Sequence, residues 1–154
     1  MAVTETVLEE ASGRMNIIVH IGCPNARHFE ELARRAEKVG ADAICDVPCA
    51  YYRMGEESMF QHWSKITEVA DLPFFIYNIP QLTGFSLYMS LFRCMLKNEK
   101  VTGITCSSEP AQNILRLAGQ RKRFPYIQRS RWTLYRRASH GRLCRNRRNL
   151  RYHA

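Results

Sequence analysis

A parallel α/β sheet is the architecture predicted by this 154-residue sequence. Two observations carry that expectation: short β-branched runs alternate with segments whose apolar residues recur at helical spacing, and glycine or proline punctuates the boundaries between them. A third bounds it. At 154 residues and 45% apolar content the chain suffices for one domain of ordinary size, but falls short of the roughly 250 residues of a complete eight-stranded (β/α) barrel.

Thr4 to Ala11 reads as the end of a helix closed by Ser12-Gly13, and Asn16-Ile17-Ile18-Val19-His20-Ile21 as a strand ended by Gly22. From Asn25, Phe29, Leu32, Ala33, Ala36 and Val39 form a helical stripe that Gly40 stops, and Ala43 to Val47 follows as a second strand. Met59, Trp63, Ile66 and Val69 mark the next helix and Leu72 to Tyr77 the next strand. Leu87, Leu91, Met95 and Leu96 mark another helix, Val101 to Cys106 a fourth strand, and Ile114, Leu115 and Leu117 one more helix. Strands separated by helices of crossover length imply right-handed βαβ units, since a parallel neighbour is reached only across the sheet face. Periodicity alone leaves a closed barrel and a doubly wound open sheet equally served.

Charge divides the chain in two. Residues 1–118 hold 11 basic and 14 acidic side chains, whereas residues 119–154 hold 12 basic and none acidic. No apolar run nears the roughly 18 residues that a membrane span needs, and the N-terminus lacks a basic region followed by an apolar stretch, so a cytoplasmic address without a membrane is expected. Six cysteines include no C-x-x-C pair and read as reduced thiols. His20, Cys45 and Cys49 match no zinc spacing, and the two cysteines read instead as buried small residues, so no metal site is expected.

Four stretches are specific in order and spacing: Val19-His20-Ile21-Gly22-Cys23-Pro24-Asn25; Gly40-Ala41-Asp42-Ala43-Ile44; Val47-Pro48 with Tyr51-Tyr52; and Leu72-Pro73-Phe74-Phe75-Ile76-Tyr77-Asn78-Ile79-Pro80 with Leu82-Thr83-Gly84. Together they resemble the N-acetylneuraminate lyase and dihydrodipicolinate synthase family over residues 1–118. The resemblance implies a TIM (β/α)8 barrel that holds pyruvate as a Schiff base on a lysine, with no metal or dissociable cofactor. Here only part of it is expected, strands three to six with their helices, followed by an irregular basic tail. The strands expected to be missing take with them the G-[ST]-T-G-E turn that binds the pyruvate carboxylate in such proteins, and so a preorganised anion site.

By the same resemblance Tyr77 falls on the tyrosine that relays protons at the carboxyl end of strand five, where sites of this fold gather. Tyr51 falls near a tyrosine that completes the site or the subunit contact, although Cys49-Ala50 departs from the usual Pro-Tyr. The lysine should follow Gly103-Ile104, where this chain has Thr105. A threonine hydroxyl forms no imine with a ketone. Lys97 and Lys100 precede that strand and read as solvated. After Pro80 the chain has Gln81-Leu82, where dihydrodipicolinate synthases carry an arginine for a substrate carboxylate, which is closer to the sialate-lyase side. Implied partners are pyruvate with an aldehyde, or a sialic-acid-like 2-oxo acid, in a family whose members are often homotetramers. Aldol cleavage or condensation is the parent reaction, and this chain is expected to be inactive.

Residues 119–154 admit two readings: an arm binding nucleic acid through phosphates, or a segment translated out of frame, and either would bind polyanions non-specifically. Codons can be assigned to Ile127–Ala154 so that reading one base later gives FNGPDGRFIAAHRMGGYAGIGGTYGIM, which resembles strands seven to eight of the same family. Only the middle base of each shifted codon is free in that exercise. Glycine codons preceded by C, read one frame off, become arginine, which gives the arginine density a cause. A further alternative is that another chain supplies the missing strands, because four parallel strands leave two open edges and an apolar interior face.

Overall fold

The computed structural model describes residues 2–23, 25–48, 51, 53–107 and 126–128. Helix α1 (Ala2–Ala11) ends where Ser12 and Gly13 take left-handed backbone conformations. Strand β1 (Ile18–His20) leads to α2 (Ala26–Lys38), whose stripe Phe29, Ala33 and Ala36 is buried while Glu31, Arg34, Arg35, Glu37 and Lys38 are exposed. The turn out of α2 is a Schellman motif, with Ala41 N–H donating to Ala36 O (3.0 Å) and Gly40 N–H to Glu37 O (3.0 Å). It delivers the chain to β2 (Ala43–Asp46).

Helix α3 (Glu56–Val69) starts with Glu56 and Glu57, acids suited to the positive end of the helix dipole, and buries Met59, Trp63 and Ile66. Its far end is closed from outside: Lys100 Nζ donates to Thr67 O (2.9 Å) and Ala70 O (3.2 Å) and pairs with Asp71 (3.2 Å). Lys100 is therefore a helix cap rather than a solvated side chain, because the last carbonyls of α3 lie beside the entry to β4 (Val101–Cys106). Lys97 is exposed. Between α3 and β4 lie β3 (Phe74–Asn78), the single turn α4 (Pro80–Thr83) and α5 (Met89–Met95), which buries Leu91, Phe92 and Met95. The helix expected at 114–117 lies outside the described residues.

A fifth strand, β5 (Tyr126–Gln128), falls inside the segment expected to be irregular and pairs Ile104↔Tyr126, Thr105↔Ile127 and Cys106↔Gln128 in parallel. Ladder pairing uses main-chain groups, so a basic sequence does not forbid it, and Tyr-Ile suits a strand. The sheet runs β1-β2-β3-β4-β5 in chain order, all parallel. Sequential order with crossovers of one hand fits the placing of α2, α3 and α5 on the same face, as in a sector of a barrel; a doubly wound sheet would reverse order at a switch point.

The large core lies between helices and sheet: Val19, Ile44, Phe74, Ile76, Ile104 and Cys106 meet Phe29, Trp63, Ile66 and Phe92. The other face carries a smaller cluster of Ala43, Cys45 and Phe75, with Ile18 and Tyr77 against it. This inner face was expected to stand open, yet Ala43 is 4% exposed and Cys45 and Phe75 are 8%. Among the described residues no helix is long and apolar enough to cross a membrane.

Candidate active site

Two local features set the inner face at the carboxyl ends of the strands. The first is a register shift between β3 and β4: Phe74 pairs with Val101 but Phe75 pairs with Gly103, leaving Thr102 as the extra residue. Such a bulge rephases a strand. Val101, Ile104 and Cys106 belong to the helix-side core, while Gly103 and Thr105 come to lie beside Phe75 and Tyr77. Gly103 is required there, because a Cβ on it would meet the Phe75 ring at 2.8 Å from Cζ and closer still at Cδ1 and Cε1.

The second is the turn after Asn78. Pro80 begins α4 with its fixed φ, and Gly84 ends it in a left-handed conformation (φ 64°), with its N–H donating to Pro80 O at 2.9 Å. Thr83 Oγ1 donates to Ile79 O (3.0 Å) and accepts from the Phe85 N–H (3.2 Å). The Tyr-Asn-Ile-Pro and Leu-Thr-Gly pieces thus form one folded corner that fixes the end of the strand bearing Tyr77.

Tyr77 and Thr105 are registered neighbours on β3 and β4. The Tyr77 hydroxyl lies 3.2 Å from Ser107 Oγ, either group being able to donate, and the Tyr77 ring meets the His20 ring edge-on at 6.4 Å. His20 in turn pairs in register with Cys45 on β2. Tyr77, Thr105 and Ser107 are partly buried and His20 is exposed, so the group is a polar cluster at one end of the inner face, open to solvent on the β1 side. Burial, with Asp46 adjoining, pushes the Cys45 thiol up to about 12, which removes it as a thiolate nucleophile.

The opposite face of β2 carries a different polar group. Asp46 is 1% exposed and its Oδ2 accepts from Trp63 Nε1 (3.0 Å) and lies 3.0 Å from His62 Nε2. These contacts tie α3 to the sheet.

The structure therefore brings two of the three sequence-derived site residues together, Tyr77 and Thr105. Tyr51 stands apart on the loop between β2 and α3, 81% exposed. Ser107 and His20 were not assigned to this site from sequence, although extending the two-residue alternation of the strands from Thr105 and Ile18 reaches them. The metal reading of His20, Cys45 and Cys49 has one member, Cys49, outside the described residues.

Comparison with known proteins adds to this geometry. The profile of the dihydrodipicolinate synthetase family matches residues 1–125. An N-acetylneuraminate lyase of Mediterraneibacter gnavus is 42% identical over 113 residues, 73% of this chain and 36% of that protein. A 4-hydroxy-tetrahydrodipicolinate synthase of Chlorobium chlorochromatii is 34% identical over 122 residues, 79% of this chain and 41% of that protein. Among solved structures, the wild-type Ruminococcus gnavus sialic acid aldolase matches with a TM-score of 0.77 and 38% identity, over 80% of this chain and 42% of that one. The same aldolase has been solved as a catalytic lysine mutant, with 38% identity, a TM-score of 0.77 and the same 80% coverage of this chain. The chain spans about two fifths of the length of the relatives it matches.

Proposed function

The chain belongs to the dihydrodipicolinate synthetase family, and we propose that it is an inactive portion of a pyruvate-handling aldolase of the N-acetylneuraminate lyase type. The observation that carries the reading is the pairing of Tyr77 with Thr105 on the inner face. The family resemblance gives Tyr77 a proton-relay role and puts the imine-forming lysine at Thr105. A Schiff base draws electrons from the bond being broken because the protonated imine nitrogen carries positive charge; a hydroxyl at that position offers no equivalent sink. Tyr77 retains a hydroxyl partner in Ser107 at 3.2 Å, so the proton-transfer side of the cluster persists without its covalent counterpart.

The parent reaction would be reversible aldol cleavage of a sialic-acid-like 2-oxo acid to pyruvate and an aldehyde. Support for that side of the family over dihydrodipicolinate synthesis comes from Gln81-Leu82, which offers no cation for a substrate carboxylate, and from the 42% identity to an N-acetylneuraminate lyase. The fragment reading is supported by the point where similarity stops. The family profile ends at residue 125, next to the place where a change of reading frame restores a family-like continuation.

Borohydride reduction in the presence of pyruvate, read by mass spectrometry of the intact chain and its peptides, is the test. No reduced pyruvate adduct is expected, because Thr105 offers a hydroxyl and no amine. A reduced adduct on any lysine of the unmodified chain overturns the proposal.

A further inference from the structure

Gly22 follows the end of β1 without taking a left-handed conformation, so what glycine supplies there is room. A Cβ on it would come 2.7 Å from His20 Cε1, 2.9 Å from His20 Nε2 and 2.9 Å from Asp46 Oδ1. The His20 imidazole therefore lies folded over the Gly22 backbone, in space it shares with the Asp46 carboxyl group. Asp46 is 1% exposed, and its other oxygen, Oδ2, accepts from Trp63 Nε1 and lies 3.0 Å from His62 Nε2. One buried acid thus has two imidazoles beside it, His62 from α3 and His20 from the end of β1.

The His20 ring also meets the Tyr77 ring edge-on, with centroids 6.4 Å apart and planes at 86°. Such contact is directional, because the positive edge of one ring seeks the negative face of the other. An exposed imidazole ordinarily moves among its rotamers. This one is exposed, yet Gly22 below it, Asp46 beside it and Tyr77 across from it limit where the ring can lie. A carboxyl oxygen attracts a ring nitrogen that carries its proton, and the exclusion of water around Asp46 strengthens that attraction.

We propose that His20 is a positioning residue for Tyr77. Gly22 gives the imidazole its seat, the Asp46 carboxyl group turns the ring within that seat, and the ring fixes the phenol whose hydroxyl lies 3.2 Å from Ser107 Oγ. A buried acid that ties α3 to the sheet then also sets the aim of a hydroxyl on the inner face. The inference rests on the reading of Tyr77 as the proton-relay residue, and its test uses no pyruvate, so the failure of either is seen apart from the other.

The full chain is labelled with carbon-13 in its tyrosine rings, and the Tyr77 resonance, assigned by its loss in Tyr77→Phe, is followed in proton–carbon correlation spectra. His20→Ala is expected to shift that resonance by more than its linewidth. Gly22→Ala, whose methyl evicts the imidazole, gives the same displaced position, and adding it to His20→Ala moves the resonance no further. Asp46→Asn shifts it in the original chain but not in a His20→Phe background, where a ring still meets Tyr77 and no imidazole remains to answer the charge. A merely structural role for Asp46 would move the resonance in both. Gly22→Ala and His20→Ala keep the Asp46–Trp63 hydrogen bond and so carry the test should Asp46→Asn disturb α3. A Tyr77 resonance unmoved by His20→Ala, a Gly22→Ala position unlike that of His20→Ala, or an equal effect of Asp46→Asn in both backgrounds overturns the proposal.

Discussion

Gly103→Ala probes the inner face at the point where the bulge of β4 meets β3. The added methyl would lie 2.8 Å from Phe75 Cζ and nearer to Cδ1 and Cε1, against the roughly 3.5–4.0 Å at which carbon atoms attract. Phe75 is 8% exposed and sits over Ala43 and Cys45, so the ring has to swing out of a packed position. Overpacking of this kind costs about 1–3 kcal/mol, and a stiffer unfolded chain offsets about 0.4–1 kcal/mol. The net loss spans about 0–2.6 kcal/mol and centres near about 1.3 kcal/mol. With a urea slope of about 1–3 kcal/mol/M, the midpoint falls by about 0.7 M at the centre of both ranges. The assay is urea unfolding followed by fluorescence of Trp63, which is fully buried, in a Trp132→Phe background so that one tryptophan reports. Phe75→Leu removes the obstructing ring, and combined with Gly103→Ala it should give a coupling of about 1 kcal/mol or more in a double-mutant cycle. Strict additivity, or a Gly103→Ala chain as stable as the original, refutes the packing argument and the inward placement of Gly103.

Asp46→Ala strands the buried Trp63 N–H and deprives His62 of its partner, which should destabilise by about 2–4 kcal/mol in the same assay, while Asp46→Asn keeps an acceptor oxygen and should lose less. Cys45, held near 12, should react with iodoacetamide at pH 8 about 10³-fold more slowly than an unperturbed thiol of pKa about 8.5; peptide mapping of alkylation rates checks it. Because the folded chain keeps that proton longer than the unfolded one, the Cys45 contribution to stability is complete below about pH 9 and is lost as pH rises toward 12, so Cys45→Ala should flatten the alkaline fall in stability. Residues 119–154, with 12 basic and no acidic side chains, should bind oligonucleotides with steep salt dependence and without sequence preference. Competition binding at physiological salt that shows a hundredfold preference, equivalent to about 2.7 kcal/mol, refutes the out-of-frame account of that segment.

Local signals carried most of the fold into view. Phe29, Ala33 and Ala36 repeat at helical spacing, and the same positions are buried on α2. Tyr77 was singled out only through the family resemblance of the Tyr-Asn-Ile-Pro and Leu-Thr-Gly pieces, whose Pro80 and Gly84 then set the corner that follows its strand. Long-range contacts were not legible. Lys100 reads as one more surface cation until Thr67, Ala70 and Asp71, some thirty residues earlier, are brought to it. The phase of β4 is hidden for another reason: Val101, Gly103 and Thr105 share parity, yet Val101 packs in the helix-side core while the other two pair beside Phe75 and Tyr77. One unpaired Thr102 reverses the alternation, and nothing in its side chain announces that.

The basic segment contains the sharpest difference between composition and sheet. Acidic residues cease after Glu109, the family profile continues to residue 125, and paired backbone continues to Gln128. Composition therefore marks a boundary well before the fold does. An arm selected for phosphate binding has no need to begin as a parallel strand in register with Ile104–Cys106. Under the out-of-frame account Ile127 and Gln128 already lie past the break, so their pairing with Thr105 and Cys106 rests on main-chain groups alone, which any sequence but proline supplies.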